Sequence, residues 1–124
     1  MTIGGLIVTH GRLGEIFVEE TVRITGHTER LDAMRTDGLS AGEITARVRD
    51  WIGDDPWVVF TDSKGTAPTI RSQAAIRPGQ VVISGVNLGM LLSFIFHRET
   101  QTVEELAVRL IRDGHRCQEV LWPK

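Results

Sequence analysis

The sequence predicts an α/β fold: an open, doubly wound, mainly parallel sheet with helices on both faces. Three observations predict it. Apolar runs of strand length alternate with helical patterns along the chain. The run Trp57-Val58-Val59-Phe60-Thr61 is continuously apolar, as a strand covered on both faces should be. Two helices are announced by capping-box spacings, Ser40-x-x-Glu43 and Thr102-x-x-Glu105.

The elements follow in order. Residues 3–9 are read as a buried first strand. Leu13, Ile16, Phe17, Val22 and Ile24 mark a helix through about residue 25, stopped near Gly26. Residues 30–36 are read as the second strand. Ser40 opens a helix whose buried face is Ile44, Val48, Trp51 and Ile52, with Gly53 as its stop. Residues 57–61 form the third strand, and Asp62 to Ala67 a polar, glycine-containing loop. Pro68 suits the first position of a short helix. Val81 to Ser84 is a fourth strand, Gly85 to Asn87 a tight turn, and Leu88 to His97 an apolar helix. Leu106, Leu110 and Ile111 support the last long helix, and Cys117 to Trp122 is read as a final strand.

With 124 residues, 41% of them hydrophobic, the chain is long enough for one core and is read as one domain over 1–124. A net charge of −2 and interspersed signs give no electrostatic footprint for nucleic acid. The single cysteine, Cys117, cannot close an internal disulfide, which points to a reducing compartment. The N-terminus lacks the positive segment of a signal peptide. The most apolar stretch, Met90 to Phe96, is far shorter than the roughly 20 residues a membrane helix needs. A cytoplasmic protein is expected. No histidine pair or Cys/His cluster has metal-ligand spacing, and no Gly-x-Ser-x-Gly or phosphate-loop motif occurs. No metal and no cofactor are therefore expected.

The chemistry is expected at the carboxyl ends of the strands. His10 follows the first strand and Asp62 follows the third. Ligands of open α/β sheets bind in this crevice, where helix N-termini attract anions. If the first and third strands are neighbours, the two side chains can meet. A carboxylate accepting the Nδ1–H of an imidazole fixes its tautomer and leaves Nε2 as a nucleophile. The backbone N–H groups of the loop from Ser63 to Ala67 can cradle phosphoryl oxygens. Taken singly, His10 also suits a satisfied turn and Asp62 a cap. His27, His97 and His115 lie near helix ends, where a cation is favourable without any catalytic role.

Three segments resemble the mannose-family IIA domain of the bacterial sugar phosphotransferase system over nearly the whole chain. Ile7-Val8-Thr9-His10-Gly11 resembles its opening strand and phosphorylated histidine. Phe60-Thr61-Asp62-Ser63-Lys64-Gly65-Thr66-Ala67-Pro68 sits at its Asp-x-x-Gly-Gly-Ser-Pro-x-Asn loop. Ser84-Gly85-Val86-Asn87-Leu88-Gly89-Met90-Leu91-Leu92 resembles its Gly-Val-Asn-x-Pro-Met-Leu segment. Thr66, Ala67 and Ile70 replace the loop's second glycine, serine and asparagine. Lys64 stands where a bulky apolar residue is common, and Gly89 replaces the proline.

The resemblance implies that His10 accepts a phosphoryl group and that Asp62 orients its ring. Thr9, Gly11, Lys64, Gly65, Thr66 and Ala67 are the expected phosphate or partner contacts. It implies phosphate from the histidine-containing phosphocarrier protein and delivery to a IIB domain or another phosphoacceptor protein. It also implies a homodimer in which the last strand, antiparallel, is exchanged between subunits. Contact with a membrane would come only through a permease complex. A second reading stays open here, because the loop is altered: a regulatory module whose phosphorylation reports carbon supply. A third is a fold relative with no phosphotransfer at all.

Overall fold

The computed structural model describes residues 2–27 and 29–124. Its elements are β1 (Gly4–Thr9), α1 (Leu13–Thr25), β2 (Leu31–Arg35), α2 (Ala41–Ile52), β3 (Trp57–Thr61), α3 (Ala67–Gln73), β4 (Gln80–Ser84), α4 (Leu88–His97) and α5 (Val103–Arg116). The four strands form one parallel sheet in the order β2-β1-β3-β4. The chain winds to one side of β1 first and then to the other. The switch point therefore lies between β1 and β3.

Successive residues of a strand point to opposite faces, and here each face has its own core. Ile7, Val58 and Phe60 pack with Leu91, Phe94, Leu106 and Leu110 under the helices of one face. Leu6, Val8 and Val59 pack with Ile44, Val48 and Ile52 of α2 on the other. Both central strands are buried at every position, which is why they contain no polar alternation. The packing against β1 is close: a Cβ on Gly5 would lie 2.8 Å from the Phe94 ring. That ring meets Phe60 edge-on, with centroids 5.3 Å apart.

Both capping boxes form, at Ser40 with Glu43 and at Thr102 with Glu105. Gly26 ends α1 in the left-handed conformation that glycine adopts without strain. Other expectations shift. Leu13, Ile16 and Ile24 are exposed. The helix α1 instead buries Gly14 and Thr21, with Phe17, Val18 and Val22 packed on the core. Apolar residues surround this helix, so periodicity did not single out one face. Trp51 lies partly exposed, its Nε1–H donating to Asp32 Oδ2 at 3.2 Å. Ile111 is likewise partly exposed. Pro68 takes the second position of α3 rather than the first, because Ala67 opens the helix.

The expected final strand is absent. Residues 117–124 contain no strand, and Val120, Leu121 and Trp122 are exposed. A strand needs a neighbouring ladder for its backbone groups, and this segment pairs with neither edge strand, β2 or β4. The sheet of the described chain is thus wholly parallel. No described helix is long and apolar enough to cross a membrane.

Candidate functional site

The strand register builds the site. Val8 of β1 is level with Thr61 of β3, so the residues beyond both strand ends emerge side by side. His10 leaves β1 through Gly11, whose φ of +55° suits a residue without a Cβ. The Gly11 N–H donates to Asp37 Oδ1 at 3.1 Å, which ties the turn to the loop after β2. Thr9 is fully buried, and its Oγ1 accepts from the Gly14 N–H at 2.9 Å. The Thr9 hydroxyl, expected at a phosphate or partner, is buried and holds the start of α1 instead.

The imidazole of His10 is 60% exposed, and its Nδ1 lies 2.7 Å from Oδ2 of Asp62, whose side chain is only 14% exposed. The His10 backbone N–H reaches the same oxygen at 3.4 Å. The other carboxylate oxygen, Oδ1, accepts from the Ser63 N–H at 2.8 Å and from the Thr66 hydroxyl at 2.7 Å. Burial pushes the Asp62 carboxyl up. The hydrogen bonds from Thr66, His10 and the backbone N–H groups outweigh it and leave the group below its ordinary value. Asp62 is then ionised near neutrality and acts only as an acceptor. The proton between the two residues belongs to His10 Nδ1, so in the neutral ring Nε2 carries the free lone pair.

The loop after Asp62 turns through Gly65, with φ of +81°. Lys64, Gly65 and Ala67 are exposed beside it, and Lys64 makes no ion pair among the described residues. Thr66, expected to face phosphate or partner, turns its hydroxyl inward to Asp62. Arg35 at the end of β2 is engaged by Glu15 of α1, with Nη2–Oε2 at 2.9 Å. Among the described residues no group of three His, Cys, Asp or Glu side chains is placed to hold a metal ion.

Sequence reading missed three residues here. Asp37 is one, since nothing in its spacing shows that it meets Gly11. Thr61 and Thr69 are the others. They join Thr66 in a hydroxyl cluster, with Thr61 Oγ1 and Thr69 Oγ1 2.7 Å apart. The recurrence of threonine at 61, 66 and 69 around the aspartate was the available signal.

The fold is shared with phosphotransferase proteins of known structure. The mannose/sorbose-specific IIA subunit from Enterococcus faecalis superposes with a TM-score of 0.85 at 24% identity, over 100% of this chain and 98% of that one. The phosphotransferase component EIIA from Streptococcus agalactiae gives 0.84 at 26% identity, over 95% and 96%. The IIA protein associated with the fucose utilization operon of Streptococcus pneumoniae gives 0.81 at 15% identity, over 97% and 93%. No curated protein sequence matches significantly. The family model described as the fructose IIA component of the phosphotransferase system, EIIA-man, matches residues 4–111. With that match spanning both His10 and Asp62, the chain belongs to the mannose-type IIA family of the sugar phosphotransferase system.

Proposed function

We propose that this protein is a cytoplasmic phosphoryl carrier that works through His10. It takes the group from the histidine-containing phosphocarrier protein and passes it to a IIB domain or another phosphoacceptor. One observation carries the reading: an exposed imidazole whose Nδ1 is held at 2.7 Å by a partly buried, ionised carboxylate.

The step is a displacement at phosphorus. The Nε2 lone pair of His10 forms the new P–N bond. The P–N bond of the donor's phosphohistidine breaks, and its electron pair returns to the donor's ring nitrogen. His10 keeps its Nδ1 proton throughout. As Nε2 attacks, the ring becomes cationic, and the Asp62 carboxylate stabilises that charge. The same contact assists the return step, since the ring must hold positive character until the acceptor takes phosphorus. In this reading Gly11, Lys64, Gly65 and Ala67 would border the phosphoryl group. Lys64 would supply the positive charge that a transferring phosphoryl oxygen attracts.

The working unit is a homodimer in this reading. Val120, Leu121 and Trp122 are large, apolar and exposed, and β4 is an edge strand. Pairing of residues 117–122 with a second copy's sheet would cover both.

Incubation with phosphoenolpyruvate and the general phosphotransferase proteins, followed by mass analysis, tests the carrier role. Wild type should gain one acid-labile phosphate and His10→Ala none. Equal labelling of the mutant overturns it.

A further inference from the structure

We propose, building on the phosphocarrier reading, that Thr66 is the positioning residue of this site: its hydroxyl locks the Asp62 carboxylate so that Oδ2 faces His10. Thr66 stands at the N-cap of α3, where a threonine oxygen ordinarily accepts from the first-turn N–H groups. Here it makes no such bond. It lies instead 2.7 Å from Asp62 Oδ1.

Proton counting fixes the direction. The Thr66 hydroxyl has one proton and three neighbours: Asp62 Oδ1 at 2.7 Å, the Ser63 carbonyl at 2.9 Å and Thr69 Oγ1 at 3.1 Å. The Ser63 carbonyl is already served by the Thr69 hydroxyl at 2.6 Å. Thr69 Oγ1 in turn accepts from Thr61, 2.7 Å away. Each hydroxyl then has one outlet, and the Thr66 proton goes to the carboxylate, where a charged acceptor makes the stronger bond. Thr61 is fully buried at the end of β3, and Thr69 belongs to α3. Together these two fix the loop carrying Thr66 to the sheet and to the helix.

The consequence is rotational. Without Thr66, Oδ1 keeps only the Ser63 N–H, and the carboxylate can turn about its Cβ–Cγ bond. Oδ2 then loses its fixed approach to Nδ1. The Thr66 hydroxyl bonds to Asp62, Ser63 and Thr69 and makes no hydrogen bond to His10, so it acts on the ring through Asp62. The family loop that residues 62–68 resemble has glycine at this position, where this chain has Thr66.

The test uses Thr66→Val and Thr66→Ala, with Thr66→Ser as the conservative variant, each checked for folding by circular dichroism. Two readouts need no phosphate. In both hydroxyl-free variants the Asp62 carboxyl carbon should titrate at higher pH than in wild type, and ring nitrogen signals of His10 should show a smaller share of Nδ1–H. Thr66→Ser should restore both. The maximal rate of phosphoryl transfer should fall on the order of tenfold, about the size of one lost hydrogen bond to a charged group, and return in Thr66→Ser. An unchanged Asp62 titration and tautomer in the folded variants overturns the assignment to Thr66. Failure of the wild type to label, with both shifts present, overturns only the phosphocarrier reading.

Discussion

His10 Nδ1 and Asp62 Oδ2 lie 2.7 Å apart although 52 positions separate them in sequence. The contact follows from the adjacency of β1 and β3, whose parallel register brings both strand ends to one level. It couples an exposed, titratable ring to a shielded negative charge. That coupling is the source of the site's expected chemistry.

Removing the carboxylate separates positioning from folding. Asp62→Ala should slow phosphoryl transfer by about 10²–10⁴-fold, the range of a well-placed acid–base partner. Circular dichroism should remain that of wild type. Rapid-quench kinetics measures the effect, and an unchanged rate would deny Asp62 any part in the step.

The same carboxylate makes stability pH-dependent. Its folded value lies below the ordinary 3.8. The unfolded chain therefore binds the proton more readily, and stability rises with pH through this range. The contribution is complete above the unfolded value and is lost as pH falls through the folded one. Denaturant midpoints of wild type and Asp62→Ala should differ at pH 6 and converge in strong acid. A difference that persists undiminished there contradicts the assignment.

Gly5 tests the packing that sets β1. A Cβ there would meet the Phe94 ring at 2.8 Å and Leu31 Cδ1 at 3.2 Å, both buried. Gly5→Ala should cost about 1–3 kcal/mol, as overpacked core substitutions do. Urea titration reads this directly, and a stabilised variant would show that α4 yields more easily than its packing suggests.

The C-terminal segment tests the proposed assembly. Full-length protein should sediment as a dimer at micromolar concentration. Deletion of residues 117–124 should give a monomer or an insoluble chain, because the sheet edge that the exchanged segment would cover is left open. A monomeric full-length protein contradicts strand exchange.

How much was legible varies by element, for physical reasons. Strands β1 and β3 were readable because burial on both faces leaves an apolar run of strand length, closed by His10-Gly11 after the first and bounded by Pro56 and Asp62 around the third. Helices α2 and α5 were readable because their caps are local chemistry: a hydroxyl and a carboxylate three residues apart need nothing from the rest of the chain. The buried face of α1 was not. Leu13, Ile16 and Ile24 compete with Phe17 and Val22 in the pattern, and the close approach at Gly14, 3.0 Å from the Ile7 carbonyl for a Cβ placed there, chose between them. The segment from Cys117 to Trp122 has strand-like residues but forms no strand within its own chain, because no ladder is offered to it there.

The sequence by itself determined the order of the strands and helices through α5 and the placement of His10 and Asp62 just beyond two strand ends, since each depends on composition and spacing along a short stretch. Only the tertiary structure decided that the two residues meet, that Thr9 is turned inward and that Thr66 serves Asp62 rather than solvent. Strand order and side-chain direction arise from packing between segments tens of residues apart. No local pattern encodes them.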